Sequence, residues 1–375
     1  MNSFNYNGVI DDLTKGLWKS PTTNKIVSIP IKKIEILSSI DGAEIEFIQN
    51  THPNEKILLI SDKITHDVLG KRIFNNLIKK INVSEYVWKK PICSIEGAEH
   101  IRNISKDYSV LIAIGSGTIN DTVKYVTFLD KKKYSVFATS PMNAYTTPTA
   151  SVSINGFKKS LIAHAATGVY FDLSILSKCP KKLRAAAFAD VICRTTAQVD
   201  WLMSNMILNT QYDETPYILL GLYEDEMIKK AKKIKEGEIT SLALLTRISA
   251  IMGLGTFFTG TTHLGSMAEH GISHYIDMFA NSLHPGTSHG EQVGIATLTV
   301  SKIQNSILNN DKPPTIYPTT IPKKDIIKEL GESTMDLIKQ EMKVKTFNSK
   351  KIEDINNYLE NNWNDFVKPL RKIMI

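Results

Sequence analysis

The chain has 375 residues, enough for about two domains at roughly 100–200 residues each, and its 42% hydrophobic and 22% charged content is that of an ordinary globular protein. The formal net charge of +7 comes from scattered lysines, such as Lys131, Lys132 and Lys133 or Lys350 and Lys351, mostly near acids. No clustered basic stripe with interleaved aromatics marks a nucleic-acid partner, while a positive field suits anionic substrates or cofactors. Cys93, Cys179 and Cys193 are widely spaced and fit neither a disulfide framework nor a paired metal spacing, which points to a reducing compartment. Residues 1–16 are polar and carry acids, unlike a secretory signal. No apolar run approaches the roughly 20 residues of a bilayer span, so a cytoplasmic protein is expected.

In chain order, residues 56–61 (KILLIS) read as a buried strand ending at Asp62, followed by helical spacing of Val68, Leu69, Ile73, Leu77 and Ile78 over 67–81. Residues 109–114 (SVLIAI) form a second apolar run, then Gly115-Ser116-Gly117 and a helix through Val123 and Val126. A third strand over 134–138 leads into Thr139-Ser140-Pro141. Uninterrupted apolar strands separated by helices predict a Rossmann-like parallel sheet covered on both faces. Residues 149–171 suggest a hairpin turning at Asn155-Gly156. Beyond Asp172, helical patterns take over: 181–206, 215–235, 241–259, 265–279, 291–308, 323–343 and 351–374, with a proline-bearing loop at 309–320. The expected organisation is an α/β nucleotide-binding domain over 1–170 and an all-α metal-binding domain over 171–375.

Candidate sites fall in both halves. The turn Gly115-Ser116-Gly117-Thr118 leaves a strand and enters a helix, where backbone N–H groups and the helix dipole can receive a phosphate; a plain tight connection is the bland alternative. Asn120 and Asp121 lie in the first turn and also suit capping. Asp62, at a strand's carboxyl end, could accept from a ribose diol or cap the next helix. His270 and His274 project from one helix face a turn apart, and His289 follows after a loop. Imidazoles so grouped can hold a divalent metal. Asp190, an acid in the apolar stretch 185–190, is the natural carboxylate partner. His263 and His284 are rival ligands on spacing alone.

On these residues the chain resembles the superfamily that joins metal-dependent polyol and alcohol dehydrogenases with 3-dehydroquinate synthase, and looks most like its sn-glycerol-1-phosphate dehydrogenase branch. Four matches over roughly residues 55 to 300 carry the likeness: 115–121 to the family's glycine-rich turn, 155–160 (NGFKKS) to a Gly-Phe-Lys-Lys segment of the branch, the helix with Asp190, Ala197, Asp200 and Trp201, and the paired histidine segments. The resemblance implies a dehydroquinate synthase-like fold and NAD(P) held by Asp62, Gly115, Ser116, Gly117, Asn120, Asp121, Thr139 and Ser140. It also implies one divalent metal on Asp190, His270 and His289, with His274 near the nicotinamide as proton relay.

There are departures. Arg194 stands where iron-dependent members carry a fourth ligand, four residues after Asp190, and three protein ligands with an open position suit zinc. Arg194 would share a helical face with Asp190 and serve a phosphate or an ion pair. Ser116 replaces a usual glycine. Asn143 replaces an aspartate near the substrate, keeping its hydrogen-bonding shape without its charge. The implied reaction is hydride exchange between NAD(P)H, NAD favoured by Asp62, and dihydroxyacetone phosphate or a related polyol phosphate, whose phosphate Lys158, Lys159 or Arg194 would neutralise. Competing readings are a cyclase or lyase of the dehydroquinate synthase type, a dehydrogenase of an unphosphorylated polyol, and a nucleotide-binding regulator without turnover. A homo-oligomer is expected; the terminal helices would cap the metal domain or form an oligomer surface.

Overall fold

The computed structural model describes residues 6–154, 157–280, 283, 286–319, 323–343 and 346–374. They form two compact units, one of residues up to 191 together with 213–262, the other of 192–212 and 263 onward.

The first unit is built on a six-stranded sheet of β1 (Lys33–Leu37), β2 (Ile57–Asp62), β3 (Val83–Trp88), β4 (Val110–Gly115), β5 (Lys133–Ala138) and, after the antiparallel hairpin β6 (Thr149–Ile154) and β7 (Phe157–Ile162), β8 (Gly168–Asp172). The order is β1-β8-β5-β4-β2-β3 and every pairing is parallel. The apolar runs of β2, β4 and β5 are the interior strands, buried because helices cover both faces of a parallel sheet. β1, β3 and β8 were not among the expected strands, and the Asn155-Gly156 turn lies outside the described residues. From β2 the chain steps outward to β3, then returns to the other side of β2 to lay down β4. The strand order therefore reverses between β2 and β4, where ligands of open α/β sheets bind.

One face packs Leu59, Ile112, Ile114 and Phe137 with Ile48, Leu69, Ile73 and Leu77. At the sheet's edge, the main-chain N–H of Ile36 donates to Asn7 Oδ1, and Asn7 Nδ2 donates to the Ile34 carbonyl. The helix expected over 67–81 starts as a short turn, Lys63–Thr65, passes through a π-helical turn at His66–Gly70 and becomes α-helical only at Lys71–Leu77.

α1 (Gly117–Leu129) follows β4. The single helix expected over 181–206 is two, α2 (Lys181–Ile192) and α3 (Arg194–Leu208), meeting at Cys193. The hydroxyls of Thr195 and Thr196 donate back to the carbonyls of Ile192 and Cys193 at 2.8 and 2.9 Å, a local bonding that competes with regular helix. α4 (Ile239–Thr259) corrects another expectation: its 21 residues include an 18-residue window of mean hydropathy 1.5, long and apolar enough to cross a bilayer, but 83% of that window is buried within the protein. It is hydrophobic all round because it is surrounded.

The second unit is helical: α3, α5 (Ala268–Phe279), α6 (His289–Leu308) and α7 (Ser349–Ile373). The last helix supplies Ile355, Leu359, Trp363, Phe366, Val367 and Leu370 to a core with Val199 and Leu308, so the C-terminal segment builds the unit itself. The helix expected over 323–343 is divided at Gly331, whose φ of +86° only glycine adopts readily.

Candidate functional site

In the first unit, β4 ends at Gly115, Ser116 is extended, and α1 starts at Gly117, so the first-turn N–H groups stand at the carboxyl end of β4, beside the reversal in strand order. A Cβ on Gly115 would come within 2.8 Å of Ile119 Cβ, so this glycine is required by the turn itself. On Gly117 a Cβ would meet nothing closer than Met142 Cε at 3.5 Å, so the protein's own packing does not demand glycine there.

Asn120 and Asp121 face inward. Asn120 Nδ2 donates to Asp121 Oδ1 at 2.9 Å and to the Ala144 carbonyl at 3.2 Å, and Asp121 Oδ2 accepts from the Ser151 N–H at 3.0 Å. Lys124, which the sequence reading passed over, is fully buried with them. Its Nζ donates to the carbonyls of Ala144 (2.5 Å) and Thr149 (2.9 Å) and lies 3.4 Å from Asp121 Oδ1. Burial lowers the ammonium's pKa, and Asp121 opposes the shift. Together the three side chains pin the loop after β5 to α1. Thr139 donates its N–H to the Gly115 carbonyl at 3.3 Å, and the hydroxyls of Ser140 and Tyr145 pair at 3.0 Å, with Tyr145 also donating to Gly115 at 2.9 Å. Asp62 caps the turn that follows it, Oδ1 accepting from the Thr65 N–H at 2.8 Å.

The same loop carries Asn143, whose Nδ2 donates to Asp190 Oδ2 at 3.1 Å. An aspartate at 143 would set two carboxylates face to face; the amide instead holds Asp190, itself buried, by a charge-assisted hydrogen bond. The loop rests on α4: Thr146 Oγ1 donates to the Ala250 carbonyl at 2.9 Å and Ser249 Oγ to that of Pro141 at 3.1 Å. Lys158 and Lys159 are successive residues of β7 and point to opposite faces of the hairpin, so at most one of them reaches a given ligand.

In the second unit the three expected histidines come together. Ring centroids are 5.0 Å apart for His270 and His289, 6.2 Å for His270 and His274, and 6.1 Å for His274 and His289. His289 opens α6 behind the Ser288–Glu291 capping box. His270 Nδ1 is 3.0 Å from Glu269 Oε1, and His289 Nδ1 is 3.0 Å from Ser273 Oγ. In metal-ligating histidines the ring nitrogen that does not bind the ion is commonly held by such a partner. Burial pushes the Glu269 carboxyl up, but hydrogen bonds from His270 and the Met267 N–H outweigh it and hold it below the ordinary range. Burial raises Asp200 to about 6, against the hydrogen bond from Gln304. Its Oδ2 accepts from the Ala268 N–H at 3.3 Å, steadying the start of α5.

Cys193 Sγ lies within 4.8 Å of a His270 nitrogen, a possible ligand absent from the sequence reading, and its thiol donates to the Gly265 carbonyl at 3.1 Å. His263 packs edge-on against Trp201 with centroids 6.0 Å apart. His284 lies outside the described residues. Arg194 is buried at the start of α3, Nη1 donating to Gln198 Oε1 at 3.2 Å.

Residues 39–180 match the iron-containing alcohol dehydrogenase family. A glycerol-1-phosphate dehydrogenase (NAD(P)+) of Methanoregula boonei is 30% identical over 64% of this chain and 66% of its own length. One of Halalkalibacterium halodurans is 26% identical over 66% of this chain and 64% of its own. The chain thus spans just under two thirds of each. A probable glycerol dehydrogenase from Sinorhizobium meliloti superposes with a TM-score of 0.57 at 18% identity, covering 72% of this chain and 81% of that one, a likeness of fold. A turn held by Gly115, histidines gathered on α5 and α6, and these relatives point the same way: the chain is similar to iron-containing alcohol dehydrogenases over residues 39–180 and, over about two thirds of its length, to glycerol-1-phosphate dehydrogenases.

Proposed function

We propose that the chain is an NAD(P)-linked, metal-dependent oxidoreductase interconverting dihydroxyacetone phosphate and glycerol 1-phosphate or a closely related polyol phosphate. The observation that carries this reading is the pair His270 and His289, 5.0 Å apart, each with Nδ1 engaged by a neighbouring side chain. The names of the relatives support the substrate class.

When bound, the nicotinamide supplies hydride and a divalent metal, zinc in our reading, supplies Lewis acidity. Asp190, His270 and His289 would hold the metal, three protein ligands leaving a position open. Asn143 orients Asp190. The N–H groups at 115–117 receive the pyrophosphate, with Thr139 and Ser140 lining the adjacent strand end and Asn120, Asp121 and Lys124 holding the turn in shape. Asp62 has a second carboxylate oxygen for a ribose hydroxyl and would repel a 2′-phosphate, which favours NAD. Lys158, Lys159 or Arg194 neutralises the substrate phosphate. His274 delivers the proton to the substrate oxygen on reduction and removes it on oxidation. Three free thiols, Cys93, Cys179 and Cys193, support a reducing, cytoplasmic setting. We read the active form as a homo-oligomer.

The test is NADH oxidation with dihydroxyacetone phosphate on zinc-loaded protein, chelated protein and His289→Ala. Turnover that requires both metal and His289 is expected. A protein that binds zinc and NAD tightly yet turns over no polyol phosphate would overturn the reading.

A further inference from the structure

We propose that Glu269 and Ser273 are positioning residues that fix His270 and His289 in the tautomer whose Nε2 carries the lone pair, and that they thereby set the affinity of this site for a divalent cation. The second half of this statement rests on the ligand assignment above; the first half stands on hydrogen-bond logic alone.

That logic starts at Gln292. Its Nε2 donates to Asp277 Oδ1 at 3.0 Å, and a carboxylate can only accept, so the amide orientation is settled. The same Nε2 donates to Thr287 Oγ1 at 3.0 Å. Gln292 Oε1 therefore faces Ser273, whose single hydroxyl proton goes to it at 2.8 Å. Ser273 Oγ then has only lone pairs to offer His289 Nδ1 at 3.0 Å, which must carry the proton. Both Ser273 and Gln292 are buried, so water does not substitute readily for either. His270 reaches the same state by a shorter route: Glu269 Oε1 already accepts from the Met267 N–H at 2.8 Å, and as a carboxylate oxygen it accepts again from His270 Nδ1 at 3.0 Å.

The two rings are thus held by different chemistry, His270 by an anion and His289 by a neutral relay through Ser273 and Gln292. This difference can be probed. In Glu269→Gln, the side-chain oxygen still accepts from His270 and Met267. The new amide nitrogen can donate to Thr196 Oγ1, which lies 3.3 Å from Glu269 Oε2 and has the Cys193 carbonyl at 2.9 Å for its own proton. The tautomer should survive while the charge is lost. Glu269→Ala and Ser273→Ala remove the acceptors altogether.

The experiment is long-range nitrogen NMR of the histidine rings in the full, metal-free chain at pH 8, paired with zinc affinity by chelator competition. Wild type should show Nδ1–H on both rings. Each alanine variant should release its own histidine into mixed tautomers and weaken zinc binding by about 10–100-fold, the range for losing such a partner. Glu269→Gln should keep Nδ1–H on His270 and lose less than about tenfold. An Nε2–H signal on either ring of the wild type, or alanine variants that bind zinc as tightly as wild type, would overturn the proposal. If the alanine variants do not fold, the wild-type and Glu269→Gln spectra decide. Wild type that shows Nδ1–H on both rings yet binds no zinc would defeat the ligand assignment and leave the tautomer result standing.

Discussion

Replacing Gly253 with alanine tests whether α4 is the bed on which the Asn143 loop is shaped. A Cβ there would lie 2.1 Å from Thr146 Oγ1 and 2.6 Å from the Asn143 carbonyl oxygen, so the loop must retreat by about 1 Å to restore ordinary contact distances. Overpacking of this kind costs about 1–3 kcal/mol. The displaced Thr146 also gives up its 2.9 Å bond to Ala250, about 1 kcal/mol more. Against this, alanine is the better helix former by about 1 kcal/mol. The net expectation is a loss of about 2 kcal/mol in urea unfolding. Because the same loop carries the amide that orients Asp190, a shift of about 1 Å should also cost about 100-fold in kcat for NADH-dependent reduction. Gly221→Ala is the control, with nothing within 4 Å of the added carbon. Thr146→Ala in the Gly253→Ala background removes one of the two clashes and should recover part of the stability. A Gly253→Ala protein as stable and active as wild type would refute the reasoning, since helix propensity alone would then govern the position.

Two further outcomes follow from buried titratable groups. His52 is buried against Ser135 Oγ at 2.7 Å, and burial, then Lys133, lowers its pKa from 6.5 to about 4. The unfolded chain takes up the proton first, so stability is fully present above about pH 6.5 and falls as the pH drops toward 4, by up to about 3 kcal/mol. Urea midpoints at pH 7.5 and 5 should diverge in wild type and converge in His52→Gln; an equal drop in both would exclude His52 as the cause. Lys124→Met leaves Asp121 and two buried carbonyls without their cation, and a loss of about 3 kcal/mol is expected. A change below about 1 kcal/mol would show that the ammonium does not hold the loop.

The interior strands were legible because burial on both faces writes a continuous apolar run, as in KILLIS and SVLIAI. β3, at an edge, mixes Ser84 and Glu85 into its pattern, and β1 and β8 are five residues each, β1 carrying Glu35 at its centre and β8 running on into apolar Leu173, Ile175 and Leu176 that blur its end. Helix periodicity located the helices but not the breaks at Cys193 and Gly331, since a turn can interrupt a helix without disturbing the apolar spacing around it. The histidine cluster was legible because spacing along a helix is a spatial statement. Its hydrogen-bonding partners were not: Ser273 and Gln292 look like ordinary polar helix residues until α5 and α6 are packed together. Lys124 had the look of a surface lysine, and only the fold reveals that its helix face is covered.

The strand order also constrains how the chain can be made. β1 is made well before β8, its only ladder partner among the described residues, which lies between it and β5. At ordinary synthesis rates the wait is on the order of ten seconds. Meanwhile β2, β3, β4 and β5 can assemble among themselves, leaving the apolar KIEIL segment exposed to other nascent chains. Asn7 bonds to Ile34 and Ile36 on the side of β1 away from β8, so a local segment can shield one edge of that strand from the start. The other edge stays open until residues 168–172 arrive, and substitutions that slow the hairpin before them should reduce soluble yield more than they reduce the stability of the finished protein.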